Sequence, residues 1–275
     1  MDSSSKNTLS HLLMPEGHTI HRAAQDQRKM LVGKALEITS PQGRFRAGAE
    51  ELNGQTCTAI EAYGKHLLYH FQLKSALHVH LGLYGQFRTA KLPAKEPRGA
   101  VRVRLLSDTH VVDINGPNTC EVLDRTGIDT LINRIGPDVL RPDADAEKAW
   151  RKISGSRVAI GQLLMDQSVV AGIGNIYRTE ILWRQKVHPE LPGKRIDRPT
   201  FDQLWLDSVK LLQLGVKHNA IITVDKTAKS NTRYGERVNI FSKEICPSCN
   251  SEIRKFEMAG RRVFSCETCQ VLPEN

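Results

Sequence analysis

Between about residues 30 and 115 the chain runs in short segments, several with alternating apolar and polar positions: TCTAIEAYG, KHLLYHFQL, SALHVHLG, YGQFRTA, AVRVRLLS and HVVDING. A period of two turns one face of each run toward a core and the other toward water, and the Gly, Asn, Ser and Asp between runs supply turns. The pattern predicts an antiparallel β domain, a sandwich or flattened barrel. Ahead of it, PEGHTIHRAAQDQRKMLVG reads as a helix, with Ile20, Ala23, Ala24, Met30 and Leu31 near one stripe and Gly33 stopping it.

Beyond the strands, DTLINRIGPDVLRPDADAEKAWRKISG carries Gly-Pro and Arg-Pro breaks and an acidic cluster, which predicts a linker and then a helix from about Ala144. From there the pattern turns helical. SRVAIGQLLMDQSVV is expected as a helix capped by Ser156, followed by IYRTEILWRQ and by RPTFDQLWLDSVKLLQLGVKH with Pro199 in its first turn. The expected organisation is α+β. It comprises a disordered tail at 1–13, a helix with an antiparallel β-sandwich at 14–128, a linker at 129–143, a helical domain at 144–238 and a cysteine-bearing segment at 239–272.

At 275 residues the chain has room for two domains, since single cores stop growing near roughly 250 residues. The tail lacks the continuous apolar stretch of a signal peptide, and no apolar run is long enough to span a bilayer, which argues against a membrane protein. A net charge of +9 points to a polyanionic partner, nucleic acid first, the bland alternative being a soluble basic protein. Residues 176–238 hold twelve Lys and Arg against seven Asp and Glu, a local excess of five. Of six cysteines, Cys57 and Cys120 stand apart in strand-like surroundings as small buried hydrophobes, while four crowd the C-terminus; both usages suit a reducing, cytoplasmic compartment.

Those four cysteines carry the strongest chemical signal. CPSC at 246–249 and CETC at 266–269 form two knuckles, and Cys246, Cys249, Cys266 and Cys269 together make a closed four-thiolate site for a structural zinc ion. Arg254, Lys255, Arg261 and Arg262 lie between them, where a β-hairpin tip would present cations to DNA. AGIGNIYRTEILW leads two glycines and Asn175 into a helix, a place where backbone amides can approach a phosphate, or where Asn175 simply caps the helix. Lys65 in YGKHLL would ordinarily be a solvated hairpin lysine, and Leu83 in HLGLYG is either core or an exposed wedge of the kind that fills a gap between stacked bases. His78 and His80, with no carboxylate at ligand spacing, read as core or surface imidazoles rather than metal ligands.

Taken in order, MPEG, YGKHLL, HLGLYG, LMDQSVVAGIGNIYRTE and the four-cysteine finger resemble the Fpg/Nei family of DNA glycosylases over nearly all of residues 14–271. The resemblance implies an N-terminal helix and β-sandwich, a helix–two-turns–helix domain and a zinc finger. It also implies a monomeric enzyme of base excision repair acting on damaged DNA. Pro15 matches the N-terminal proline that attacks sugar C1′, forms a Schiff base and leads to β- and δ-elimination; Glu16 matches the acid and base beside it. Lys65, Asn175 and Arg261 match phosphate-gripping positions, and Leu83 matches the residue that fills the space left by an extruded nucleotide. The Arg-Arg-Phe-Gly loop of the oxidised-purine branch is replaced by DINGPNTCEV, closer to the endonuclease VIII-like branch, whose substrates are mainly oxidised pyrimidines. Thr19 stands where many relatives have glutamate, which alters part of the proton relay.

Pro15 can act as an amine only if it begins the mature chain. Either Met14 is the start and is removed, or a protease trims the tail. Otherwise the proline is an amide, leaving a DNA-binding relative without a nucleophile, an abasic-site lyase alone, or one that uses Lys65.

Overall fold

The computed structural model describes residues 15–225 and 234–274; the tail expected at 1–13 lies outside the described residues. The chain forms two compact units, one of Pro15 with Ala23–Ile128 and the other of Glu16–Arg22 with residues 129–274. The division falls inside the first helix, α1 (Gly17–Leu31), whose opening turns belong to the second unit and whose remainder belongs to the first.

The first unit holds two four-stranded antiparallel sheets. One runs in the order β1 (Glu37–Thr39), β6 (Val101–Leu106), β7 (His110–Asn115), β5 (Gln86–Lys91). The other runs β2 (Cys57–Tyr63), β3 (His66–Phe71), β4 (Ala76–His80), β8 (Thr119–Leu123). All six segments read from the sequence are strands. The pattern missed β1 and β8, short strands recruited by pairing with β6 and β4, and it missed the helix α2 (Arg46–Leu52). In β3, Leu67, Leu68 and Tyr69 are all fully buried, so both faces of that strand are covered. α1 lies against this sheet: Tyr69 Oη donates to Gln27 Oε1 at 2.5 Å and Arg28 Nε to the carbonyl of Ile60 at 2.6 Å. Cys57 is buried and Cys120 half-buried, and burial pushes both thiols up to about 12.

The helix α3 (Arg125–Arg134) runs through the first part of the stretch expected as linker at 129–143. α4 (Ala146–Ser154) begins two residues beyond the expected Ala144, where the Asp145 side chain accepts from the amide of Glu147. The expected helix over SRVAIGQLLMDQSVV shrinks to α5 (Ile160–Leu163), and Ser156 closes a turn to Val158 instead of capping it. The amides there find other stretches of chain instead of a helical ladder: Ile160 donates to the carbonyl of Leu191 and Gly161 to that of Pro189. α6 (Asn175–Arg184) and α7 (Arg198–His218) follow as expected, α7 capped by Asp197 and ended by Asn219 in the left-handed conformation. Ile176, Tyr177, Ile181 and Leu182 of α6 join Leu204, Leu211 and Leu212 of α7 in the core. After α8 (Tyr234–Arg237) comes a hairpin of β9 (Arg254–Met258) and β10 (Arg261–Ser265), whose own small core contains Ile240, Ile253 and Phe264. Among the described residues no helix is long and apolar enough to cross a membrane.

Candidate active site and DNA-binding residues

The second unit joins Glu16 and Gly17 to the Gly-Ile-Gly loop. Gly17 N donates to Gly172 O at 2.8 Å, and the Glu16 carboxylate receives Gly174 N on one oxygen and Ile176 N on the other, each at 2.9 Å. Glycine is required on both sides of this junction: a Cβ on Gly17 would stand 2.7 Å from Gly172 Cα, and one on Gly174 would stand 2.3 Å from Glu16 Cδ. The amides at the start of α6, expected to receive a phosphate, therefore receive the buried side chain of Glu16. A helix N-terminus suits negative charge whichever anion supplies it.

Asn175 does not cap α6. Its Nδ2 donates to Arg262 O at 3.0 Å and its Oδ1 accepts from Arg178, so the amide links the helix to β10. Arg178 is a residue that sequence reasoning passed over. Its side chain is fully buried, donates to Gly161 O and Arg262 O, and is pushed down to about 10 by burial, with Glu16 raising it and Arg261 lowering it. The guanidinium stays charged at neutral pH. Only its place inside NIYRTEILW, one turn after Asn175 and one turn before Ile181 and Leu182, could have marked it. Arg261 and Arg262 open β10 beside the hairpin tip, as expected of a cationic tip. Arg254 and Lys255 do not share it; they stand at the far end of β9 and pair with Glu190 and Glu244.

Two further residues of the opening helix were not anticipated. His18 is buried against Tyr177 in an edge-on contact at 5.4 Å, and burial pushes its imidazole down to about 4. His21 Nε2 lies 2.7 Å from Asp138, whose other oxygen accepts from Leu140 N.

In the first unit, Gly64 and Lys65 form the two-residue turn between β2 and β3, with Gly64 at φ +58 as the first turn position requires. The pairing of His66 with His80 puts this turn at the same end of the sheet as the tip that carries Leu83. Leu83 is 37% exposed and its neighbour Tyr84 76%, so the tip offers an aromatic ring beside the expected aliphatic one. His80 is held below its ordinary range by burial and then by the charges of His78 and Lys65. A carboxylate does reach His78: β8 sets Glu121 directly opposite, 2.8 Å from Nδ1, while Nε2 meets His66 at 2.9 Å. That correction comes from β8, whose pairing the sequence pattern did not reveal.

The Sγ atoms of Cys246, Cys249, Cys266 and Cys269 all lie within 4.8 Å of one another, the only such ligand group among the described residues. Cys246 and Cys269 are 3.8 Å apart and Cys249 and Cys266 3.4 Å. Thiolates about 2.3 Å from a tetrahedral ion stand about 3.8 Å from each other, so the four can hold a metal ion.

The chain is similar to known proteins along most of its length. Residues 14–120 match the family model of the formamidopyrimidine-DNA glycosylase N-terminal domain, and residues 135–227 that of the formamidopyrimidine-DNA glycosylase helix–two-turns–helix (H2TH) domain. A Mycobacterium tuberculosis protein named endonuclease 8 1 is 40% identical over 267 residues, covering 94% of this chain and 100% of the relative. A formamidopyrimidine-DNA glycosylase of Lactococcus lactis is 27% identical over 270 residues, covering 94% of this chain and 99% of the relative. The crystal structure of wild-type L. lactis Fpg with DNA containing N7-benzyl-Fapy-dG gives a TM-score of 0.79 at 25% identity, covering 94% of this chain and 100% of that one. With two domain models and a relative matched along its whole length, the chain belongs to the Fpg/Nei family of DNA glycosylases.

Proposed function

We propose that the protein is a bifunctional DNA glycosylase and abasic-site lyase of base excision repair, acting on oxidised bases and on oxidised pyrimidines foremost. The observation that carries this reading is the fixed carboxylate of Glu16, buried, oriented by two backbone amides and joined directly to Pro15. The family match begins at residue 14, which supports a mature chain that starts at Pro15. A free proline amine titrates near 8, so an appreciable fraction is unprotonated at neutral pH.

In the proposed reaction the Pro15 nitrogen bonds to C1′ as the bond from C1′ to the base breaks and the base leaves with that electron pair. The Glu16 carboxylate takes the proton from the Pro15 nitrogen and delivers it to the sugar ring oxygen, the ring opens and an iminium links Pro15 to C1′. The iminium acidifies C2′; removal of that proton expels the 3′ phosphate, a second elimination expels the 5′ phosphate, and water releases the sugar fragment. Lys65, Asn175 and Arg261 are assigned to the phosphates and Leu83 to the gap left by the extruded nucleotide, with Tyr84 beside it. The metal fitted to the four cysteines is zinc, which would fold the hairpin without taking part in the chemistry.

The test is single-turnover cleavage of duplexes carrying an oxidised pyrimidine, an oxidised purine or an abasic site, using the chain that begins at Pro15. Cleavage leaving phosphate on both ends, fastest for the pyrimidine, is expected. Cleavage of the abasic duplex alone would reduce the protein to a lyase, and binding without cleavage of any would remove the enzymatic reading.

A further inference from the structure

Residues 86–106 contain six Lys and Arg and one acidic residue, a balance of +5 out of the chain's +9. None of the cations assigned above to DNA lies in this stretch. It folds as β5, a nine-residue loop and β6, and the loop is tied across the outer face of the sheet by two arginines. Arg88 donates to Arg98 O at 3.2 Å, and Arg104 donates to Lys95 O at 2.8 Å while gripping Asp113 with two nitrogens at 2.7 and 2.9 Å. The tie leaves a depression of about 320 Å³. Its rim carries Arg88, Lys91, Lys95 and Arg98, all exposed. Lys91, Lys95 and Arg98 make no side-chain hydrogen bond or ion pair among the described residues, and Asp113 is already committed to Arg104.

A solvated charged face is the ordinary fate of scattered lysines. Here the cations are concentrated on one edge strand and one pinned loop, with a single nearby acid, Glu96, to offset them. Like charges held together cost stability unless an anion shares them. We infer that this edge of the β5–β7 sheet is a second DNA-contacting surface, which binds the phosphate backbone away from the damaged nucleotide. The inference rests on the glycosylase reading only in taking DNA as the polyanion. The phosphates come either from the flank of the duplex being repaired or from a second duplex segment, and each source leaves its own signature.

The experiment compares the protein with Lys91→Ala/Lys95→Ala/Arg98→Ala, which spares the two arginines that tie the loop. Affinity for duplexes holding an uncleavable abasic analogue is measured against salt, at about 12 and about 40 base pairs, where each phosphate contact contributes about 0.9 to the slope of log affinity on log salt. The slope should fall by about 2 to 3 in the triple variant. A fall confined to the long duplex assigns the contact to the flank; loss of a second bound short duplex assigns it to another segment. The charge-preserving Lys91→Arg/Lys95→Arg/Arg98→Lys should restore the slope. Unchanged slope and stoichiometry at both lengths would overturn the inference, as would a loss limited to binding of poly-glutamate, which would make the surface one for acidic protein. Single-turnover cleavage of the short duplex should stay unchanged, so that failure of the glycosylase reading shows separately.

Discussion

Two buried glutamates meet the helix α6, and they are held in the same chemical way for different ends. Glu180, inside the helix, accepts from Thr223 Oγ1, from Asn239 through both its backbone N and its Nδ2, and from the amides of Ile240 and Phe241. It ties the chain at 223 to the chain at 239–241, so every donor around it is structural. Glu16, at the mouth of the same helix, is oriented by Gly174 and Ile176 and precedes that helix in space while following Pro15 in sequence. Burial and hydrogen bonding alone do not tell a structural carboxylate from a reactive one. The neighbour does: Glu180 adjoins apolar Ile181, Glu16 adjoins the amine to be.

The sharpest way to break this comparison is to replace each carboxylate in turn. Glu16→Gln should lower single-turnover base excision by about 10²- to 10⁴-fold, the usual contribution of a positioned acid, beyond a stability loss of about 1 to 3 kcal/mol as one backbone amide comes to face the new NH2. Retained excision would place the acid elsewhere. Glu180→Ala should do the reverse, costing about 3 to 5 kcal/mol in urea unfolding because several donors lose one buried acceptor, and any activity lost should follow the folded fraction. Gly174→Ala should resemble Glu16→Gln in rate, since the added Cβ lands on the carboxylate it must orient; normal activity would show that the loop can give way.

His18 sharpens the comparison through pH. Its folded value near 4 lies below the ordinary 6.5, so between about pH 6.5 and 4 the unfolded chain binds a proton that the folded chain refuses. Stability should therefore fall as pH falls through that window, by about 3 kcal/mol in total, and the contribution should vanish above it. Urea midpoints at both ends of the window check this: His18→Leu should flatten the difference, and an unchanged difference would assign it to other groups. The smallest effect expected is that of Arg261→Ala, a loss of about 1 in the salt slope for DNA binding.

The strands were legible because β2 to β7 are short runs, several of them alternating, set off by turn residues, and α6 and α7 because their ends carry recognisable stops and caps. The helix expected at 156–170 was not, because Ile160 and Gly161 pair with Leu191 and Pro189, partners about thirty residues on that a local period does not encode. At the site, Glu16 and Asn175 were legible one by one, and the family resemblance set them in order. Their mutual geometry was not. Nothing in GIGN says that its amides serve a side chain more than 150 residues earlier rather than a phosphate, and nothing near His78 announces Glu121 across β8. Such pairings depend on contacts that sequence spacing does not encode.

The most direct measurement is borohydride trapping on a duplex with an oxidised pyrimidine, comparing the chain that begins at Pro15 with the chain that begins at Met1, each N-terminus verified by intact mass. The account predicts a covalent adduct from the first, mapped to Pro15, and none from the second. Equal adducts from both, mapped to Lys65 or another lysine, would contradict it.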